Sequence, residues 1–390
     1  DSEVACLLRR ETLGDVLSHR YETIDFLPEG ETPAWQEAFY HLVDSYSTSR
    51  SDDPLRQQVI RLYQYVRSLP DYRSEMAQYQ EDLAEAARDF SASRHAAVLV
   101  AQVRVLLGQA VQVLPELREL LASGVSLIKD PARNQAYHDQ FRRIDAGLLQ
   151  IAAKLAHDQP DWDELVGLAR ELDDLDLPRA GGKDPGKARI LELLRQNLAE
   201  SIHCLTGQCR TDTYRQHFLF DTICLFNRTT SQIEQEIRSM LPAIGQLFDL
   251  VLELDERYRE RKREQRLVDF GDFEHLARGI LPQPEAAQYS RQRSQEIYID
   301  EYQDTSSIQE AILLAIARDN VFMVGDVKQS IYRFRHARPG IFISRFDRYR
   351  QAGTGSLITL NRNFRSVPGV LGAVKEVFGQ LMSPEAGEID

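Results

Sequence analysis

The 390 residues carry 47 Lys and Arg against 60 Asp and Glu, a formal net charge of −13. That balance excludes a surface that grips nucleic acid by charge all over, although an acidic chain can still own a basic groove. Four cysteines in so long a chain, Cys6, Cys204, Cys209 and Cys224, read as reduced thiols and not as a disulfide scaffold.

No continuous apolar run reaches the ~18 to 20 residues of a membrane span, and the opening DSEVACLLRRE lacks the form of a signal peptide. A cytoplasmic protein without membrane contact is expected. The opening is helical in pattern (Val4, Leu7, Leu8, Leu13, Val16, Leu17), has no initiator methionine, and reads as entered mid-domain. Thr32-Pro33 predicts a helix start with Phe39, Leu42, Val43 and Tyr46 on one face. Asp53-Pro54 starts the next, with Leu55, Val59, Leu62, Tyr63 and Val66 inward and Pro70 closing it.

From Tyr72 to Leu121 the chain is alanine-rich and nearly free of Gly and Pro, which predicts a pair of long helices. A second pair is expected from Asn134 to Leu172, broken at Gln159-Pro160. Then Gly181 to Lys187 fits the spacing GxxxxGK, but Ala188 follows where a phosphate loop needs a hydroxyl, and the preceding residues are acidic and helical. It reads as a decoy. His203, Cys204, Cys209 and Cys224 have no CxxC pair among them, and a metal site there is not expected. Ile244, Leu247, Val251, Leu254 and Tyr258 form an inward stripe, followed by the charged run Glu256 to Arg266, a solvated helix end by default. Asp272 is expected to cap the helix that leads on toward the sheet.

The informative stretch begins at Glu296. An apolar strand, Ile297 to Ile299, runs into Asp300, Glu301 and Asp304. Adjacent carboxylates at a strand end raise each other's pKa and call for a positive partner, and at the carboxyl edge of a parallel sheet that partner is a divalent cation with its phosphates. A helix with Ile308, Ile312, Leu313 and Ile316 on one face leads to a second strand, Val321 to Val324, which ends in GDVKQSIYRFR. There Tyr332 and Phe334 alternate with Arg333 and Arg335, the mixture of π faces and cations that single-stranded nucleic acid requires. Between Asp326 and Ser366 nine basic residues, from Lys328 to Arg365, face only Asp326 and Asp347, so the local charge is positive. A third strand, Ser356 to Leu360, is expected to deliver Asn363, Phe364 and Arg365.

DEYQDT, VGDVKQSIYRFR and NFRS, in this order and spacing, resemble motifs II, III and IV of superfamily 1 DNA helicases of the UvrD/RecB type. The longer form VGDVKQSIYRFRHARPGIF, the segment Phe39 to Asp71 and LVDFGDFEHLA are most similar to the AddA family of bacterial helicase/nuclease proteins. The resemblance implies an α/β fold: a RecA-like P-loop NTPase half with a parallel sheet, plus a large helical insertion, domain 1B. Residues 1–266 would be that insertion, 267–350 part of the first lobe and 351–390 the start of the second.

It also implies ATP and Mg²⁺ as cofactors, with Asp300 holding the metal and Glu301 activating the hydrolytic water. Gln303 and Asp304 would couple the site to its surroundings. Gln329 and Arg365 would contact the γ-phosphate, and Phe364 the adenine ring. Tyr332 and Phe334 would stack on bases, with Arg335 on the strand's backbone. Partners would be DNA, as a single strand in the motor groove with duplex ahead, and an AddB-like subunit in a heterodimer.

No strand followed by GxGKT occurs in the 390 residues, nor do the later helicase motifs or nuclease carboxylates. The expectation is an internal piece of a larger enzyme, close to inert by itself. A UvrD-type helicase without nuclease, or a catalytically dead RecB-like scaffold, are the alternatives; intact Asp300, Glu301, Gln329 and Arg365 speak against the scaffold.

Overall fold

Short side chains that accept hydrogen bonds stand at the start of helix after helix, where the first backbone N–H groups lack partners. In the computed structural model, which describes residues 3–25, 33–47, 51–172, 184–194, 198, 205, 226–352 and 355–381, they set the element boundaries. The described helices are α1 (Glu3–Asp25), α2 (Ala34–Tyr46), α3 (Asp53–Val66), α4 (Tyr72–Arg88), α5 (Arg94–Ala122), α6 (Pro131–Leu155), α7 (Trp162–Arg170), α8 (Pro185–Leu193), α9 (Thr230–Glu264), α10 (Phe270–Ile280) and α11 (Pro284–Arg293). Then come β1 (Ile297–Ile299), α12 (Ser307–Ile316), β2 (Val321–Met323), α13 (Pro339–Ala352) and α14 (Pro368–Leu381). The chain divides into two units, Asp1–Glu81 with Met240–Arg365, and Asp82–Ser239 with Ser366–Asp390.

In the unit built on Asp82–Ser239, Ser93 caps α5, Asp130 caps α6, and Asp161 caps α7. Its core joins Val103, Leu107, Ala110, Leu114 and Leu117 of α5 to Ile144, Leu148 and Ile151 of α6 and to Trp162 and Leu165 of α7. The Trp162 ring meets Phe90 edge-on at 5.2 Å and Phe226 at 5.1 Å. By length and composition α5 could cross a membrane, although no continuous apolar run of that length is present; one stripe of it, Val103, Leu107, Ala110, Leu114 and Leu117, lies in this core. Asp184 Oδ1 accepts from the N–H of Gly186 and Lys187, so the end of the GxxxxGK decoy is an ordinary capped first turn of α8. Residues 181–183 of that decoy, His203, Cys204, Cys209 and Cys224 lie outside the described residues.

The other unit buries Leu13, Val16 and Leu17 of α1 with Phe39 and Leu42 of α2, Leu55, Val59 and Tyr63 of α3, and Leu250, Val251, Leu254 and Tyr258 of α9. Val4 and Leu7, expected inward, are exposed. The charged end of α9 departs furthest from expectation. Lys262 is buried beneath the Tyr258 ring, its Nζ 3.0 Å from Asp269 Oδ2 and 2.5 Å from Asp272 Oδ2. Asp269, not Asp272, is the N-cap of α10; Asp272 returns the bond from the third helical position, closing a capping box. Arg67 joins Asp272 to the buried Asp255, which also receives the Tyr72 hydroxyl at 2.5 Å.

β1 and β2 pair in parallel, Ile297 opposite Val321, Tyr298 opposite Phe322 and Ile299 opposite Met323, with α12 as the crossover. The chain is thus mostly helical with a small parallel sheet. Ser356 to Leu360 forms no strand: Ile358 is 70% and Leu360 85% exposed, because no neighbour offers a ladder among the described residues.

Candidate functional site

The pairing continues past the strands. Val324 N–H donates to Ile299 O at 2.8 Å and Tyr302 N–H to Val324 O at 2.9 Å, which sets Asp300 to Tyr302 beside Val324 to Asp326. A Cβ built on Gly325 would stand 2.5 Å from Gln303 Oε1 and 2.9 Å from Phe342 Cε2, so glycine is what lets the Gln303 amide close on this strand end. Glu301 takes a left-handed backbone, φ 51° and ψ 44°, and its N–H donates to Asp300 Oδ1 at 3.0 Å.

From there an unbroken hydrogen-bond chain links the two motifs. Gln303 Nε2 donates to Glu301 Oε2 at 2.6 Å, Asp326 N–H donates to Gln303 Oε1 at 3.0 Å, and Gln329 Nε2 donates to Asp326 Oδ2 at 2.9 Å. Gln303 in the middle is 1% exposed, whereas Asp300, Glu301, Asp326 and Gln329 face solvent. The link works because a primary amide donates at one end and accepts at the other. Asp326, absent from the sequence-based site, is the joint; its place directly after the strand-ending glycine was the available signal.

Behind the acids sits a cluster that sequence reasoning missed entirely. The buried Tyr302 donates its hydroxyl to Glu310 Oε2 at 2.7 Å and accepts from Arg345 Nε at 3.0 Å. Arg345 Nε also donates to Glu310 Oε1 at 3.1 Å, and its Nη2 meets the same oxygen. Burial and the Glu310 carboxylate push the Tyr302 hydroxyl's pKa up. Burial works against the Arg345 charge, but Glu310 overcomes it and raises the guanidinium pKa.

The aromatic segment is held at its base and open at its tip. Arg338 N–H donates to Thr305 O at 3.1 Å and Arg338 Nη2 to the Tyr65 hydroxyl at 3.0 Å, tying the segment to the turn that follows Asp304 and to the end of α3. Ahead of it, the Tyr332 and Phe334 rings lie 5.6 Å apart, with the Arg335 guanidinium carbon 5.0 Å from one centroid and 5.7 Å from the other. Phe334 is 72% exposed and belongs to no core. Phe364 and Arg365 stand apart from the hydrogen-bond chain; Phe364 is 90% exposed, and Arg365 N–H bonds Asn363 Oδ1 within its own turn.

A divalent cation with a nucleotide suits the donor set. Asp300 and Glu301 offer exposed hard carboxylate oxygens, and Asp304 Oδ1 is buried without a hydrogen-bond partner. No cluster of three or more His, Cys, Asp or Glu able to hold a metal occurs among the described residues.

The model of the UvrD/REP helicase N-terminal domain family matches residues 151–350. The chain is 33% identical over 411 residues to an ATP-dependent helicase/nuclease subunit from Bacillus licheniformis, covering 100% of this chain and 31% of that protein. It is 29% identical to the namesake from Acetivibrio thermocellus, over 100% of this chain and 30% of the relative. It is 32% identical to the one from Thermoanaerobacter sp., over 91% and 28%. The chain therefore spans less than a third of the length of these curated relatives.

Proposed function

The chain belongs to the UvrD/REP helicase family, and on that premise we propose that it is the segment of an ATP-driven DNA motor that couples hydrolysis to the grip on a single strand. The observation that carries this reading is the hydrogen-bond chain from Glu301 through Gln303 and Asp326 to Gln329. Bound Mg²⁺ and ATP would supply the divalent charge and the phosphoryl group that reacts. Asp300 would hold the metal. Glu301 Oε2 is engaged by Gln303, which leaves Oε1 to accept the proton of the attacking water. Gln329 would orient the γ-phosphate, and Arg365 would reach it from the neighbouring lobe on lobe closure, with Phe364 against adenine.

Tyr332 and Phe334 stack on bases of the tracking strand and Arg335 meets its backbone, so each closure carries the strand roughly one base. By the same family likeness residues 1–266 are the 1B-like helical insertion, 267–350 part of the first lobe and 351–390 the start of the second. The relatives are named for a helicase and a nuclease together. By that likeness the longer protein joins a motor to an exonuclease, processes double-strand breaks for recombination beside an AddB-like partner, and works in the cytoplasm. Glu301→Gln in the intact protein is expected to abolish DNA-stimulated phosphate release and spare nucleotide binding; unchanged turnover would refute the assignment.

A further inference from the structure

Glu301 is held in a conformation it would not choose. A left-handed backbone is uphill for any residue with a Cβ and persists only where the surroundings over-determine it. On its N-terminal side Asp300 Oδ1 takes the Glu301 N–H. On its C-terminal side the Glu301 O accepts from the Asp304 N–H at 2.9 Å, and the next residue is Tyr302, whose N–H is fixed to Val324 O and whose ring packs on Phe342 of α13 at 6.0 Å.

The far end of that ring is gripped from α12 and again from α13. Glu310 lies in the first turn of α12, whose start is set by a capping box between Ser306 and Gln309. Arg345 lies mid-way along α13, one turn beyond Phe342. Their side chains are 13% and 15% exposed, so the pair is largely screened from water, and both bond the Tyr302 hydroxyl. Arg345 is therefore tied directly to Tyr302, the residue next to Glu301.

We propose that Glu310 and Arg345 are positioning residues: their ion pair fixes Tyr302 and so holds Glu301 in the left-handed turn that presents its carboxylate. The inference rests on the reading of Glu301 as the proton acceptor. A mere packing role would alter thermal stability and leave the chemistry alone; a positioning role alters the chemical step in protein that is still folded.

The test is steady-state ATP hydrolysis by the full-length protein with single-stranded DNA, well below its unfolding temperature. Tyr302→Phe and Glu310→Gln are expected to lower kcat on the order of 10- to 100-fold, with KM for ATP changed by about twofold or less. Arg345→Lys, which keeps the charge, is expected to recover most of what Arg345→Ala loses. Should Arg345→Ala not fold, Tyr302→Phe, which removes a single oxygen, carries the test. Normal kcat in folded Tyr302→Phe and Glu310→Gln overturns the proposal. If Glu301→Gln is inactive while those two are normal, only the positioning role fails; if Glu301→Gln itself turns over normally, the underlying reading fails first.

Discussion

Asp255, Asp269 and Asp272 on one side, and Asp300, Glu301 and Asp326 on the other, are acidic groups of the same unit with similar neighbours in sequence. The first set is buried or nearly so and is answered from within: Lys262 bonds two of its members, Arg67 two, and the Tyr72 hydroxyl one. The second set faces solvent and, among the described residues, is answered only by amides, from Gln303, Gln329 and the backbone. An acidic cluster with its own cations is architecture. One that keeps open carboxylates at a strand end has room for a cation from outside.

Breaking the internal set should show the largest effect. Lys262→Met takes the Lys262 cation from Asp269 and leaves Asp272 with Arg67 alone, and is expected to cost about 3–5 kcal/mol in urea unfolding. Tyr332→Ala probes the ligand-facing side and should weaken single-strand binding by about 1–3 kcal/mol in a fluorescence titration, with stability nearly untouched. An acid titration of stability separates the clusters next. Burial raises the Asp269 pKa, but Lys262 and the Asp272 amide outweigh it and hold the carboxyl below its usual range. Its contribution is therefore complete above the ordinary ~3.8 and is lost as pH falls through the depressed value. Asp269→Asn should flatten that acid limb. Asp300→Asn should move the unfolding midpoint least, by about 0.5 kcal/mol or less; a large loss there would place Asp300 with the architectural acids.

Much of this was legible beforehand because it depends on neighbours in sequence. The helix breaks near Pro70 and Gln159-Pro160, the inward stripe of α9 and the two strands that carry acids and amide all follow local rules. What stayed hidden depends on distant or reciprocal partners. Lys262 looks solvated until Asp269 and Asp272 fold back on it. With an aspartate at both ends of DFGD, only the backbone decides which one starts the helix. Arg345 reads as one more surface arginine of α13, since nothing local reveals that a tyrosine 43 residues earlier waits for it.

The guanidinium lying across both Tyr332 and Phe334 makes these rings occupied property. On the proposed function a base arriving there would not fill an empty shelf; it would displace a cation, and the favourable energy of that cation–π contact would be subtracted from what stacking returns. The displaced arginine would then be free to meet the newcomer's phosphate. Capture of the strand would thus be a trade of partners, gentle in net affinity and readily reversed, which suits a hold that has to be let go at every step.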